Sequence, residues 1–215
     1  MTDRRPYRRE SEERRRDDLI SAALDLVSEG GPQAATVRAI AQRAGVTSGL
    51  IRHYFSTKED LTRAAYQRLM DQMTADSAIV LQDGPDDPIA RLACFVAASI
   101  SPPVVDPVAV GLWAGFLHGV QRDASMRDVH IATYLGFRDV LQSLIAALPR
   151  PATSAQLRSD AIACNAIIDG LWLEGSVLPE AFAPGEIVDI GLSSVGAILQ
   201  TDLKAAMTAT KRATP

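Results

Sequence analysis

Apolar residues that recur at the helical period, punctuated by glycine and proline, set the strongest limit on what this chain can fold into. Ile20, Ala23, Leu24 and Val27 stand at i, i+3, i+4 and i+7 before Gly30-Gly31-Pro32 stops the pattern, which predicts a helix over residues 12–29. Thr36 then reads as the N-cap of a short second helix whose inner face is Val37, Ile40, Ala41 and Ala44, with Arg38, Gln42 and Arg43 turned away and Gly45 as its end. Thr47 reads as the cap of a third helix over 48–54, with Val46, Ile51 and Tyr54 on its inner side. Ser56-Thr57-Lys58-Glu59 reads as a capping box opening a fourth, which continues to Leu81. After the breaker run Asp83-Gly84-Pro85-Asp86-Asp87-Pro88, apolar helical segments follow near 88–100, 107–121, 124–148, 154–177 and 185–203. No convincing alternating stretch of strand length interrupts them, so the predicted fold class is all-α.

Charge divides the chain unevenly. Residues 1–58 carry 11 Lys/Arg against 8 Asp/Glu, a net +3, whereas residues 59–215 carry 11 against 18, a net −7. A phosphate backbone responds to local potential and discrete contacts, so the acidic whole does not exclude a nucleic-acid partner for the basic end. Seven arginines lie between Arg4 and Arg16 with no apolar core after them, which excludes a secretory signal. These residues precede any strong apolar periodicity and read as a frayed arm, which adds salt-dependent affinity, probes a minor groove or serves only as a solubility tail. The longest uncharged apolar stretches, 92–105 and 107–121, are shorter than the roughly 18 residues a membrane span needs. Cys94 and Cys164 lie far apart in apolar surroundings, the usage expected of two buried thiols in a reducing cytoplasm. His53, His118 and His130 have no metal-ligand spacing with either cysteine, and no phosphate-loop, dinucleotide or nucleophile-elbow motif occurs, so neither catalytic residues, metal nor cofactor is expected.

Two short helices joined by Ala44-Gly45-Val46-Thr47 form a helix-turn-helix candidate, in which the second helix enters the major groove of double-stranded DNA by its N-terminus. Its outward residues are Ser48, Gly49, Arg52 and His53, with Leu50 near the rim. Arg52 can donate two hydrogen bonds to guanine O6 and N7, Thr47, Ser48 and His53 can reach bases or phosphates, and Gly49 lets the backbone approach. Thr36 and Lys58, each at a helix N-terminus, suit phosphate oxygens. Taken singly, Tyr54 and Phe55 are equally readable as core, His53 as surface and Lys58 as a solvated charge. The set at this spacing favours the DNA reading.

The run Thr36, Ile40-Ala41, Ala44-Gly45-Val46-Thr47, His53-Tyr54-Phe55, Lys58 and Leu61 closely resembles the N-terminal signature of TetR-family transcriptional regulators, over residues 14–62. That resemblance implies a homodimeric all-α repressor of about nine helices. Residues 1–60 would be its helix-turn-helix DNA-binding domain and residues 61–215 its helical ligand-binding and dimerisation domain. It also implies DNA contacts, mainly to phosphate, by Thr36, Thr47, Ser48, His53, Tyr54 and Lys58, to which the outward Arg38 and Gly49 are added as expected DNA-binding residues. Many members have tyrosine where this chain has Arg52, which makes Arg52 the expected base reader.

"AIIDGLWLEGSVLPE" at 166–180 is similar to the BetI-like, betaine-operon branch, whose best-known member responds to choline. The resemblance assigns the last two helices to a four-helix dimer interface, in accord with Ile162, Ile167, Leu171, Val188, Leu192 and Ile198 being spread too widely for one core face. It also places Trp113 and Trp172 beside a central cavity, with Phe116 and Asp169 completing the expected ligand-binding set. Aromatic faces and carboxylates suit a cationic effector. Gly111, Gly115 and Gly119 form a stripe read as close helix packing. The leading function is an effector-responsive repressor that binds operator DNA as a homodimer. The alternatives are an effector-blind architectural regulator with the same DNA head and a small helical enzyme with a basic terminus.

Overall fold

The computed structural model describes residues 5–213, and the side chains of residues 12–210. Among the described residues there are ten α-helices and no strand: α1 (Arg5–Gly30), α2 (Val37–Arg43), α3 (Ser48–Tyr54), α4 (Lys58–Ala78), α5 (Pro88–Ser99), α6 (Pro107–Arg122), α7 (Ala124–Ala146), α8 (Ser154–Val177), α9 (Glu186–Leu199) and α10 (Leu203–Ala213). The all-α reading holds, with three boundaries corrected.

The first is the start of α1, which begins at Arg5 and so takes most of the arginine-rich arm into a helix. Apolar period was the wrong signal there. Arginine and glutamate are good helix formers, and Glu12 precedes Arg16 by the favourable four-residue step. Residues 1–4 of the arm lie outside the described residues. The second is the fourth helix's capping box, which is shifted by one: Asp60 Oδ2 accepts from the Thr57 N–H at 2.9 Å, and Thr57 Oγ1 accepts from the Asp60 N–H at 3.0 Å. The third is the segment read as one helix over 185–203, which is two. Gln200 adopts a left-handed conformation (φ 53°, ψ 43°), the Thr201 N–H reaches back to the Gly196 carbonyl at 2.9 Å, and Asp202 caps α10 through the Ala205 N–H at 2.9 Å. A Cβ on Gly196 would stand 2.6 Å from the Thr201 carbonyl oxygen, so this return of the chain requires glycine.

The chain divides into two compact units. One comprises residues up to Met70 together with Gly111–His130, and the other Asp71–Val110 together with the chain from Ile131 onward. The divisions fall within α4, α6 and α7 rather than in the loops between helices. In the first unit Leu19, Ile20, Ala23 and Val27 of α1 are buried with Ile40, Ala41, Ile51, Phe55, Leu61 and Tyr66. Tyr66 packs against Phe116 with ring centroids 5.2 Å apart, and its hydroxyl lies 2.6 Å from His130 Nδ1. In the glycine stripe of α6, an added Cβ on Gly115 would sit 3.4 Å from the Pro32 ring, while Gly111 faces open space, so close packing applies to part of the stripe.

The second unit has a single apolar core drawn from α5 (Leu92, Phe95, Val96), α7 (Leu141, Ile145), α8 (Cys164, Ile168), α9 (Leu192, Val195, Leu199) and Leu203 of α10. Helix α5 starts where Asp87 Oδ2 accepts from the Ala90 N–H at 2.8 Å, with Pro88 pre-set for the first turn. Burial pushes the Cys164 thiol up to about 12, which keeps it protonated and inert. Cys94 is half-buried rather than buried, its Sγ 3.9 Å from Met207 Sδ. None of the helices among the described residues is long and apolar enough to cross a membrane.

Candidate nucleic-acid interface

The interface begins at Thr36, whose extended backbone precedes α2 and whose Oγ1 accepts from the Ala39 N–H at 3.1 Å. That bond leaves the hydroxyl proton free to be donated, so the cap orients Thr36 toward an acceptor such as a phosphate oxygen. Ile40 and Ala41 are buried beneath α2, and Arg38 and Gln42 are exposed on its other side. Arg43, also outward by sequence, is committed to structure. Its Nη1 and Nη2 donate to Glu29 Oε1 and Oε2 at 2.9 and 2.6 Å, tying α2 to α1, and this hydrogen bonding holds the Glu29 carboxyl below its usual range.

The turn from α2 to α3 closes by two backbone bonds. Val46 N–H donates to the Ala41 carbonyl at 2.9 Å and Gly45 N–H to the Gln42 carbonyl at 3.3 Å, with Gly45 at φ +66°. This is the Schellman arrangement, in which the residue past the helix end must enter the left-handed region. Thr47 then occupies the N-cap of α3 as expected, yet its hydroxyl makes no cap hydrogen bond. Thr47 is exposed and its hydroxyl is uncommitted.

Helix α3 has one fully buried anchor, Ile51, with Leu50 and Tyr54 half-buried. Val46, expected inside, is also only half-buried. The opposite face carries Ser48, Gly49, Arg52 and His53, all exposed. His53 and Tyr54 meet edge-on with ring centroids 5.1 Å apart. Phe55, which follows, is buried, and the Arg16 guanidinium lies 4.7 Å from its ring centroid. Arg16 was not singled out by sequence, because nothing local marks which arginine of a run will stack on a distant ring. Lys58 is the first residue of α4 and half-buried. The Thr57 and Asp60 N–H groups are occupied by the capping box, so the Lys58 ammonium is the group there best placed to meet a phosphate.

Thr36, Arg38, Thr47, Ser48, Gly49, Arg52, His53 and Lys58 therefore lie on three successive helix starts and one exposed helix face, with Tyr54 half-buried at the end of α3, all within the first compact unit. A seven-residue helix anchored by one isoleucine, with an arginine in the middle of its open face, has the dimensions and exposure that entry into a major groove requires.

Residues 19–65 match the sequence model for bacterial regulatory proteins of the tetR family, and residues 88–200 match that for the C-terminal part of BetI-type transcriptional repressors. The chain belongs to the TetR family. An HTH-type transcriptional regulator BetI from Burkholderia ambifaria (strain MC40-6) is 31% identical over 164 residues, which is 76% of this chain and 82% of that protein. Its namesake from Stenotrophomonas maltophilia (strain R551-3) is 31% identical over 170 residues, 78% and 84% of the two chains. Among solved structures, a transcriptional regulator from Pseudomonas aeruginosa PAO1 superposes with a TM-score of 0.76 at 28% identity, covering 90% of this chain and 94% of that one. This TetR-family protein is a DNA-binding transcriptional regulator of the BetI-type repressor class and not an enzyme.

The four residues expected to meet an effector divide between the two units. In the first, Phe116 is buried against Tyr66, and Trp113 is half-buried. In the second, the Trp172 indole N–H donates to the Val104 carbonyl at 2.9 Å, and Asp169 Oδ2 accepts from the Tyr134 hydroxyl at 2.6 Å and from Asn165 Nδ2 at 2.8 Å. Sequence reasoning found Asp169 and missed its companions. The Asn165–Asp169 spacing of one helical turn was visible, but Tyr134 comes from another helix.

Proposed function

We propose that the protein binds operator DNA as a homodimer, reading bases with Arg52 from α3 and gripping phosphate with Thr36, Thr47, Ser48, His53, Tyr54 and Lys58, and that a small cationic effector releases it. The observation that carries the DNA half is the exposed face Ser48-Gly49-Arg52-His53 opposite the buried Ile51. Arg38, exposed on α2, is placed for the backbone flanking the groove.

The homodimer reading is supported by the second unit. Ile162, Leu173 and Val177 are exposed along one side of α8, interspersed with the small Ala166 and Gly170, and Ile190 is exposed on α9, which packs against α8. Of the apolar residues first assigned to this interface, Leu192 is buried and Ile167, Leu171, Val188 and Ile198 are half-buried against the core, so Leu173, Val177 and Ile190 take their place beside Ile162. A contiguous exposed apolar strip marks an association surface, and an isologous pairing of α8 and α9 builds a four-helix interface. Two reading heads then address successive major grooves, and an effector that favours another separation lowers operator affinity.

The cationic reading of the effector is supported by the Asp169 carboxylate with Trp172 three residues further along α8. The deciding experiment selects bound DNA from a random pool and repeats the selection with small ammonium compounds. A two-fold-symmetric consensus that is lost with a cation supports the whole reading. A consensus unmoved by any small molecule leaves the effector-blind regulator, and no enriched sequence refutes the DNA assignment.

A further inference from the structure

Beside the C-terminal end of α3 the first unit has an open recess of about 380 Å³, lined among others by Arg16 of α1, by Tyr54, Phe55 and Ser56 at the passage into α4, and by Asp60 and Arg63 of α4. Its two arginines are in different states. Arg63 donates to Asp60 Oδ1, and Asp60 Oδ2 accepts from the Thr57 N–H at 2.9 Å, so this carboxylate is committed to Arg63 and to the helix cap. Arg16 makes no ion pair or hydrogen bond among the described residues, and its contact is with the Phe55 ring, 4.7 Å from the guanidinium carbon to the centroid. Phe55 is 4% exposed and closes α3, its N–H donating to the Ile51 carbonyl at 2.8 Å, whereas Arg16 is exposed. The next residue, Asp17, ties this part of α1 to α4 through its ion pair with Arg68. A guanidinium stacked on a ring keeps its in-plane donors pointing outward and has less freedom to lose when it meets an acceptor. The adjacent Arg15 is drawn instead to Asp18 at 3.6 Å. The recess thus carries one positive charge beyond what Asp60 balances, with the Tyr54 and Ser56 hydroxyls beside it.

We infer that Arg16, stacked on Phe55, is a further DNA contact that grips an operator phosphate at the C-terminal end of α3. This assignment rests on the DNA-binding reading above and extends the phosphate grip from the starts of α2, α3 and α4 to α1. A phosphodiester presents two oxygens that match the guanidinium fork, and the Tyr54 and Ser56 hydroxyls are donors of the right kind to join it. A recognition helix meets base edges with its N-terminal residues, so a cation at its far end is placed for backbone rather than for bases. The contact therefore adds affinity without sequence preference.

The test follows binding of the full-length protein to operator DNA selected from the random pool, by fluorescence anisotropy across a series of potassium chloride concentrations. Each phosphate contact contributes about 0.9 to the slope of log affinity against log salt, so Arg16→Gln should lower that slope by about 1 per bound protomer, or about 2 for the proposed homodimer. The wild-type advantage should then be about tenfold larger at about 50 mM salt than at about 200 mM. The loss should be the same for every operator in a panel, and Arg16→Lys should restore the slope. Glutamine keeps part of the stem over Phe55, so its urea midpoint should stay close to that of the wild type. Arg14→Gln removes an exposed charge from another side of α1 and should leave the slope nearly unchanged. An unchanged slope in Arg16→Gln, a loss by the same factor at every salt concentration, or an equal fall in Arg14→Gln overturns the contact while wild-type operator binding upholds the DNA reading. Inorganic phosphate titrated into the DNA-free protein distinguishes the sources of the anion: saturation abolished by Arg16→Gln, with no change in the operator slope, assigns the recess to a free anion and overturns the operator contact. Failure of the wild type to enrich any operator refutes the DNA assignment and the role of Arg16 with it.

Discussion

Replacing Gly45 by alanine isolates what the backbone contributes to the turn that aims α3. Gly45 sits at φ +66°, and a Cβ built there meets nothing within 4 Å, so the substitution introduces no steric clash. The whole effect is the cost of holding an L-residue in the left-handed region, about 1 kcal/mol and not more than about 2. In a chain of this length that corresponds to a fall of roughly 2–4 °C in Tm per kcal/mol. Asparagine tolerates the left-handed region better than alanine, and a β-branched residue worse, so stability should fall in the order Gly, Asn, Ala, Val. Urea denaturation at one fixed protein concentration reads the series, the fixed concentration being needed because the proposed dimerisation would couple to folding. Operator affinity measured beside it should weaken in the same order, since the Val46 and Gly45 bonds that close the turn also set the start of α3. Alanine as stable as glycine, or more stable than asparagine, would refute the backbone argument.

Arg52→Ala should relax preference at one base position per half-site, costing about 1–3 kcal/mol, whereas Lys58→Ala should weaken all sequences alike; competition binding across an operator panel separates the two. Asp60→Ala removes half of the capping box and should cost about 1 kcal/mol of stability, visible as a lower urea midpoint at unchanged m-value. Because its bond to Arg43 holds the folded-state pKa of Glu29 below 4.5, the stabilisation that pair provides is present above pH 4.5 and lost as pH falls through the lowered value. The acid limb of stability against pH should therefore be steeper for the wild type than for Glu29→Gln. Leu173→Glu places a charge on the exposed strip of α8 without touching the core, so sedimentation should show a weakened dimer with the helical content retained.

The DNA head was legible because its determinants are local. Thr36, Gly45 and Thr47 each announce a helix boundary by a conformational property of the residue itself, and the 3.6-residue period then dictates that Ile51 goes in and Arg52 goes out. The break between α9 and α10 escaped for the matching reason. Gln200 takes the conformation that glycine or asparagine would have advertised, and only two backbone bonds, from the Gln200 N–H to the Ala197 carbonyl and from the Thr201 N–H to the Gly196 carbonyl, reveal why it does. The early start of α1 escaped because a helix made of arginine and glutamate has propensity without apolar period, and period was the signal being read.

The residues expected to meet an effector were less legible because their chemistry depends on partners distant in sequence. Asp169 and Trp172 declare themselves as a carboxylate and an aromatic one turn apart, yet what Asp169 can do depends on Tyr134, which lies 35 residues before it on another helix. The same contact changes the meaning of Asn165, which looks by sequence like one polar residue in an apolar face and in the fold is a donor pinned to a carboxylate with its oxygen left over. Polar residues at α3 are exposed and need no partner inside the protein, so their spacing is enough to read them. A polar residue inside a core must be bonded, and its role is defined by what bonds it. Arg43 makes the point from the other direction. By spacing it is merely turned outward beside Arg38 and Gln42, and it is the bidentate grip of Glu29 on α1 that makes it the brace holding α2 in place.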